Sequence, residues 1–377
     1  MKILLIPDKF KGSLSAQEVA VAVSNGLRRL EKRVVIHKVL ASDGGDGFLE
    51  AVQRMKKIKE IEIDTVDPLG RKIKAEYLWD SVNKSAYIEL AKASGLTLLK
   101  FEEQNPMKTS TYGTGLQLKD AIAKGAKFIY VGLGGSATND VGIGIASALG
   151  YNFLDSNKQN LNPCGENLNK IESIFLNKNN SIFEGVRIIA VNDVNNPLYG
   201  KNGASFVYAA QKGGNRADIE KLDLGLRHLD KKVKEQLGKE EAVIPGAGAA
   251  GGTAYGLKVF LDAEFIGGTE FIFNLCQVDK LLMEHNFGFI ITGEGSLDKQ
   301  TLNGKLIQGV LELGRRFNVP VIAVCGKLGI DKKELNTLGF MDILEISDSS
   351  KSLQYSMENA ANLVEGAIFN YFGKAVL

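Results

Sequence analysis

Asp8, Lys9, Lys11 and Ser13 follow the first apolar run of this chain, and Asp43 and Asp46 follow the second. Thr292, Gly293, Glu294, Ser296 and Asp298 follow a later apolar run, and Lys327 another. Gly134, Gly135, Ser136, Thr138, Asn139 and Asp140 come just after Val131, and Asp193 comes just after Val191. Each group mixes charge, hydroxyls and glycine. Carboxylates suit Mg2+, which keeps several waters and takes one or two protein oxygens together with phosphate. Lysines and backbone N–H groups offset the charge of a phosphoryl group in transfer. The combined chemistry is the binding of phosphate, a metal and a small polar substrate.

The stretch from Val131 to Gly150 shows how such groups would be positioned. Phe128 to Val131 reads as a buried strand, and Gly132, Gly134 and Gly135 as a turn. Small residues then alternate with Val141, Ile143, Ile145 and Leu149, which reads as a tightly packed helix. Strand, glycine turn and helix start is a phosphate-binding layout, because glycine lets the backbone approach an anion and the first N–H groups of the helix donate to it. Asn139 or Asp140 is the expected cap. No Gly-Lys-Ser/Thr follows, so this is not a Walker A loop, and Ala137 occupies the last position of a GxGxxG pattern. The competing reading is a tight turn packed by its glycines.

Several strands must carry these loops. Lys2 to Ile6 is an apolar strand, and Ser15 with Glu18 forms a capping box for a helix to about Leu30. Val34 to Val39 is a second strand, with a helix from Phe48 to Met55. Ile61 to Val66, Ile73 to Trp79 and Lys84 to Glu89 read as antiparallel strands. Gly246 to Gly252 is a second glycine turn before a helix. From Phe287 the strand–helix rhythm returns, with strands at Phe289–Ile291, Val319–Val324 and Asp342–Ile346. The two ends share one period and the middle has another. The expected fold is therefore α/β in two domains. Residues 1–60 and 286–377 form a discontinuous parallel-sheet domain, and a second, mixed-sheet α/β domain is inserted at 61–285. Strand-end groups of both domains would line a cleft between them.

The chain is long enough for two cores, with 377 residues, 44% hydrophobic and 24% charged. A net charge of +2 and the lack of a basic stripe argue against a nucleic-acid partner. No apolar run approaches a membrane span. Met1 to Pro7 reads as a strand rather than a signal segment. Cys164, Cys276 and Cys325 are scattered, which points to a reducing compartment, the cytoplasm, and away from structural zinc.

DKFKGSLSA (8–16), SDGGDG (42–47), GLGGSATND (132–140), NDVNNPL (192–198), GAGAAGG (246–252) and TGEGSLDKQT (292–301), followed by Gly304-Lys305, resemble the glycerate kinase family, in particular its bacterial 2-phosphoglycerate-forming type. These motifs run in the family's order along essentially the whole chain. The resemblance implies a flavodoxin-like (Rossmann-like) discontinuous domain and transfer of phosphate from ATP to D-glycerate, with Mg2+. Lys9 stands where the family pattern has serine, and Asp46 where it has glutamate; both changes keep polarity.

Among the residues, Asp43 and Asp46 are candidates to ligate Mg2+ or to hold glycerate hydroxyls, and Lys11 to hold the substrate carboxylate or a phosphate. Asp193 is the first candidate for the base, with metal ligation as its alternative; Asp298 and Glu294 are further base candidates, and Glu294 could pair with Lys305. Asp8, Lys9, Ser13, Gly134, Gly135, Ser136, Thr138, Asn139, Thr292, Gly293, Glu294 and Lys305 are the expected substrate- and phosphate-binding set. The expected partners are small molecules, ATP and D-glycerate, with a homodimer as the assembly if one forms. Two rival functions make different demands. A nicotinamide dehydrogenase needs GxGxxG after the first strand, where this chain has DKFKGS. A non-catalytic sensor of a phosphorylated metabolite needs phosphate loops without the carboxylates.

Overall fold

The computed structural model describes residues 1–10, 12–30, 33–40, 47–177, 183–297, 305–329, 338–347 and 350–374. Among these, thirteen strands follow in chain order: β1 (Lys2–Pro7), β2 (Val35–Lys38), β3 (Lys59–Val66), β4 (Lys72–Asp80), β5 (Ser85–Glu89), β6 (Phe128–Gly132), β7 (Tyr151–Leu154), β8 (Ser173–Leu176), β9 (Arg187–Val191), β10 (Glu264–Ile266), β11 (Phe289–Leu297), β12 (Val321–Leu328) and β13 (Asp342–Glu345). The chain divides into two compact units, Met1–Ser42 with Gly268–Leu377, and Asp43–Gly267.

The first unit is built on a five-stranded sheet of order β13-β12-β11-β1-β2, with every pair parallel. Counted within the unit the order is 2-1-3-4-5, the flavodoxin-like order, and it reverses between β1 and β11. Its first helix, Ala16–Arg28, starts at the expected capping box. Ser15 Oγ accepts from the Glu18 N–H at 3.2 Å, and Glu18 Oε2 accepts from the Ser15 N–H at 2.8 Å. Val19, Val23 and Leu27 sit four residues apart on the buried face of that helix and join one core with Val364, Ile368 and Phe372 of the helix Ala360–Lys374. Burying each such side chain is worth about 1.5–3 kcal/mol. Gly26 lets the two helices close, since a Cβ there would lie 2.5 Å from the Glu365 carbonyl oxygen.

The second unit carries a six-stranded sheet of order β10-β9-β6-β5-β4-β3 and a hairpin of β7 and β8. β3, β4 and β5 pair antiparallel as expected, and β5 then pairs parallel with β6, β6 with β9, and β9 with β10. The carboxyl ends of β5, β6, β9 and β10 thus share one edge. Ile129 and Val131 of β6 are fully buried among Val141, Ile143, Ile145 and Tyr255.

One expectation is corrected here. β11 and β12 do not stop at Ile291 and Val324; they pair on to Leu297 and Leu328. Thr292, Gly293 and Glu294 therefore lie within the sheet, and so does Lys327. The glycines that suggested a turn serve close backbone approach instead: a Cβ on Gly326 would sit 2.4 Å from the Gly295 carbonyl oxygen. The unit boundaries fall at 42/43 and 267/268, against the expected 60/61 and 285/286. The helix Phe48–Met55 packs on β4 and β5, and the helices Gly268–Leu275 and Val278–Glu284 pack against Lys305–Phe317.

Candidate functional site

The β6 end is an accessible tip on a buried base. Gly134 is half-buried and Gly135 exposed, whereas Ser136 to Asp140 are buried. Gly135 is left-handed (φ 69°), a conformation glycine adopts without cost. The Gly135 carbonyl accepts from the Leu96 N–H at 2.9 Å, and the Ala137 N–H donates to the Ser94 carbonyl at 2.9 Å. The expected helix begins late, at Ile143, because Val141 and Gly142 are left-handed (φ 58° and 69°). Asp140 is the cap. Its carboxylate accepts from the N–H groups of Thr111, Gly142 and Gly144 and from Thr111 Oγ1, at 2.8–3.3 Å. The Gly144 N–H, in the first turn of the helix, therefore already faces an anion of the protein itself. Burial pushes the Asp140 pKa up, and its four donors pull it back down.

Beneath the tip lies Lys212, only 6% exposed. Its Nζ donates to Ser136 Oγ and to the Thr138 carbonyl, both at 2.7 Å. Asn139 Nδ2 donates to Ser205 Oγ at 3.2 Å. Among the described residues Thr138 Oγ1 and Asn139 Oδ1 are buried without a hydrogen-bond partner, which natural proteins rarely allow. Gly251 closes over this segment, left-handed at φ 67°; a Cβ on it would lie 2.1 Å from the Thr138 carbonyl oxygen. Asp193 is half-buried two residues beyond β9, on the same edge, where the Leu133 N–H donates to the Val191 carbonyl at 3.2 Å.

The edge of the first unit differs. At the reversal of strand order the Asp8 N–H donates to the Gly293 carbonyl at 2.9 Å, and buried Thr292 Oγ1 donates to the Ile6 carbonyl at 2.8 Å. Ser13 Oγ donates to the Met357 carbonyl at 2.8 Å. Both hydroxyls thus hold the frame. Asp8 Oδ1 accepts from the Lys9 N–H at 2.7 Å. Asp8 and Glu294 are half-buried, and Lys9 is exposed at the same edge.

The family model described as "Glycerate kinase family" matches residues 3–373. The chain belongs to the glycerate kinase family. It is similar to a glycerate kinase of Halalkalibacterium halodurans, 39% identical over 98% of this chain and 96% of that one, and to the glycerate 2-kinase of Escherichia coli, 35% identical over 96% and 94%. A crystal structure from Salmonella typhimurium LT2, whose name assigns it to glycerate kinase 2, superposes with a TM-score of 0.82 at 33% identity, over 100% of this chain and 98% of the other. Family membership makes the protein a kinase.

In this glycerate kinase family member, Lys11, Asp43, Asp46 and Asp298 lie outside the described residues, and Lys305 opens the helix Lys305–Phe317. The remaining candidates divide between the two edges, Asp8, Lys9, Ser13, Thr292, Gly293 and Glu294 on one and Gly134, Gly135, Ser136, Thr138, Asn139 and Asp193 on the other. Among the described residues no group of three or more His, Cys, Asp or Glu is arranged to hold a metal, and no helix is long and apolar enough to cross a membrane. An open cavity of about 620 Å3, lined in part by Lys2, Arg33 and Glu284, lies at the amino end of β1 and β2. Ligands of open parallel sheets bind at the carboxyl ends, so that cavity is given no part in the reaction.

Sequence reasoning missed two residues. Lys212 stands in Gln211-Lys212-Gly213-Gly214, where paired glycines beside a lysine were the available signal. Glu89, 4% exposed, ends β5 beside the end of β6, and its Oε2 accepts from the Leu49 N–H at 3.1 Å. Sequence reasoning did end a strand at Glu89, but only the parallel pairing of β5 with β6 puts that residue on the carboxyl edge.

Proposed function

We propose that this enzyme transfers the γ-phosphoryl group of ATP to the 2-hydroxyl of D-glycerate, giving 2-phosphoglycerate and ADP. The family match over residues 3–373, with 35% identity to a protein named glycerate 2-kinase, carries this reading. The glycerate hydroxyl oxygen bonds to the γ-phosphorus, the bond to the bridging oxygen of ADP breaks, and the hydroxyl proton passes to a carboxylate. Asp193 is assigned as that base, with Asp298 as the second candidate. Asp193 lies two residues past a buried strand without glycine.

The β6 loop suits phosphate. Its glycine tip reaches solvent, and the buried Thr138 hydroxyl, which has no partner among the described residues, keeps a donor in the loop. Gly134, Gly135, Ser136, Thr138 and Asn139 are assigned to phosphate. Asp8, Lys9, Ser13, Thr292, Gly293, Glu294 and Lys305 are assigned to substrate, and Lys11 to charge neutralisation. Bound Mg2+ would offset charge on the phosphates. The donor set fits a hydrated ion, which needs only one or two protein carboxylates, and Asp43 and Asp46 are assigned to it. The three cysteines are free, in keeping with a cytoplasmic enzyme.

Incubation with ATP, Mg2+ and D-glycerate, followed by phosphorus NMR of the product, tests the proposal. Coupling to enolase without phosphoglycerate mutase should give signal. Clean 3-phosphoglycerate would refute the regiochemistry, and binding without turnover would move the protein to the sensor class.

A further inference from the structure

Lys212 is unusual among the cations of this chain. It is buried, and among the described residues it makes no ion pair. Its two acceptors are a neutral hydroxyl and a neutral carbonyl, both in the β6 loop. The charged group whose field acts on it is Asp140, and that carboxylate is already held by Thr111, Gly142 and Gly144. The segment around Lys212 packs its glycines on Gln104, Pro106 and Ala209, none of them charged. A buried ammonium with two neutral acceptors and no bonded carboxylate is a poor way to stabilise a fold; a methionine of similar length would cost less. It is a good way to leave positive charge under a loop that receives an anion.

We infer that Lys212 is a positioning residue of the phosphate loop, its ammonium tying Ser136 Oγ to the Thr138 carbonyl so that Gly134 and Gly135 are held, with positive charge beneath them, to receive a phosphoryl group. The inference rests on the proposed kinase reading of that loop. The loop's backbone fits the role. Gly135, Val141 and Gly142 on one segment and Ala250, Gly251 and Gly252 on the segment that closes over it are all left-handed. For Val141 and Ala250 that conformation is strained, and such strain persists only where the surroundings hold it. Ser136 and Thr138 lie between these points, at the two atoms that Lys212 bonds. Burial also pushes the Lys212 pKa down, to about 7, so the charge is poised to respond to a nearby anion.

Lys212→Met tests this in the full-length enzyme. The expected result is a KM for ATP or glycerate raised about tenfold or more and a lowered kcat, with the thermal midpoint unchanged or higher. KM and kcat within about twofold of wild type overturn the inference. Loss of activity together with a lower midpoint also overturns it, since that marks a brace for the fold. The wild-type pH profile decides independently of any variant. kcat/KM should fall on the alkaline side of about pH 7, and Lys212→Met should lack that limb. A wild-type profile flat from about pH 6 to about pH 9 sinks the inference. Absence of wild-type turnover with ATP and D-glycerate removes the proposed reaction and this inference with it, a result distinct from any change confined to Lys212→Met.

Discussion

The β6 edge of the second unit and the β1/β11 edge of the first carry similar residues and use them differently. At β6 the glycines are mostly packing devices. A Cβ on Gly132 would meet the Phe48 ring at 2.6 Å, one on Gly251 the Thr138 carbonyl at 2.1 Å, and one on Gly256 the Val141 carbonyl at 1.8 Å. Gly134, by contrast, is half-buried and Gly135 exposed. At β1/β11 the strand order reverses, which no residue type announces, and the hydroxyls of Ser13 and Thr292 fasten the frame. The difference teaches that a glycine-rich loop can hold a solvent-facing tip and a close-packed base within a few residues. Composition alone does not separate the two.

Asp193 gives the sharpest division between chemistry and frame. Asp193→Asn should lower kcat about 10²–10⁴-fold with little change in magnesium dependence or thermal midpoint. Asp43→Asn should instead shift the magnesium requirement or the glycerate KM. Steady-state kinetics over a magnesium titration distinguishes the two, and exchanged phenotypes would reverse the assigned roles.

A smaller effect separates tip from base within the β6 region. Gly251→Ala places a methyl on a left-handed residue, for about 1–2 kcal/mol, and forces it against the Thr138 carbonyl, for about 1–3 kcal/mol more. The expected loss is about 2–5 kcal/mol in urea unfolding. Gly135→Val, at the exposed tip, should cost only the strain of about 1–2 kcal/mol while raising the KM for nucleotide or glycerate. Equal destabilisation by both would erase the distinction between tip and base.

Much of this was legible in the sequence, for physical reasons that differ by element. The Ser15–Glu18 box and the four-residue spacing of Val19, Val23 and Leu27 are local signals, and the helix they predict is present. The parallel sheet of the first unit followed from its strand–helix rhythm, and the six motifs identified the family. The ends of β11 and β12 were not legible, because a glycine that permits two strands to approach looks the same as one that turns the chain. The helix Phe48–Met55 is amphipathic, and nothing local says which sheet its apolar face will meet. Lys212 was invisible because its burial depends on meeting Ser136, 76 residues away. A lysine beside glycines is ordinarily solvated.

The smallest expected effect concerns that lysine and contrasts the frame with the charge inside it. In the unfolded chain its amine titrates near the ordinary 10.5, and in the folded protein near 7. Below pH 7 both states carry the charge, and the folded state bears the whole desolvation cost. Between those two values the folded state has released a proton that the unfolded chain keeps. The unfolded state then binds more protons, so stability rises with pH, by at most about 1.4 kcal/mol per unit. Above 10.5 both states are neutral and the cost is gone. Urea unfolding at about pH 7 and about pH 8 should therefore show wild type gaining about 1 kcal/mol relative to Lys212→Met, which has no such group to titrate. Using the difference between the two proteins cancels the titration of every group that does not interact with Lys212. If the two gain equally, Lys212 keeps an ordinary pKa, and water or an ion must reach it. The β6 base would then be as open as its tip, and the contrast with the first unit would lie in the glycines alone.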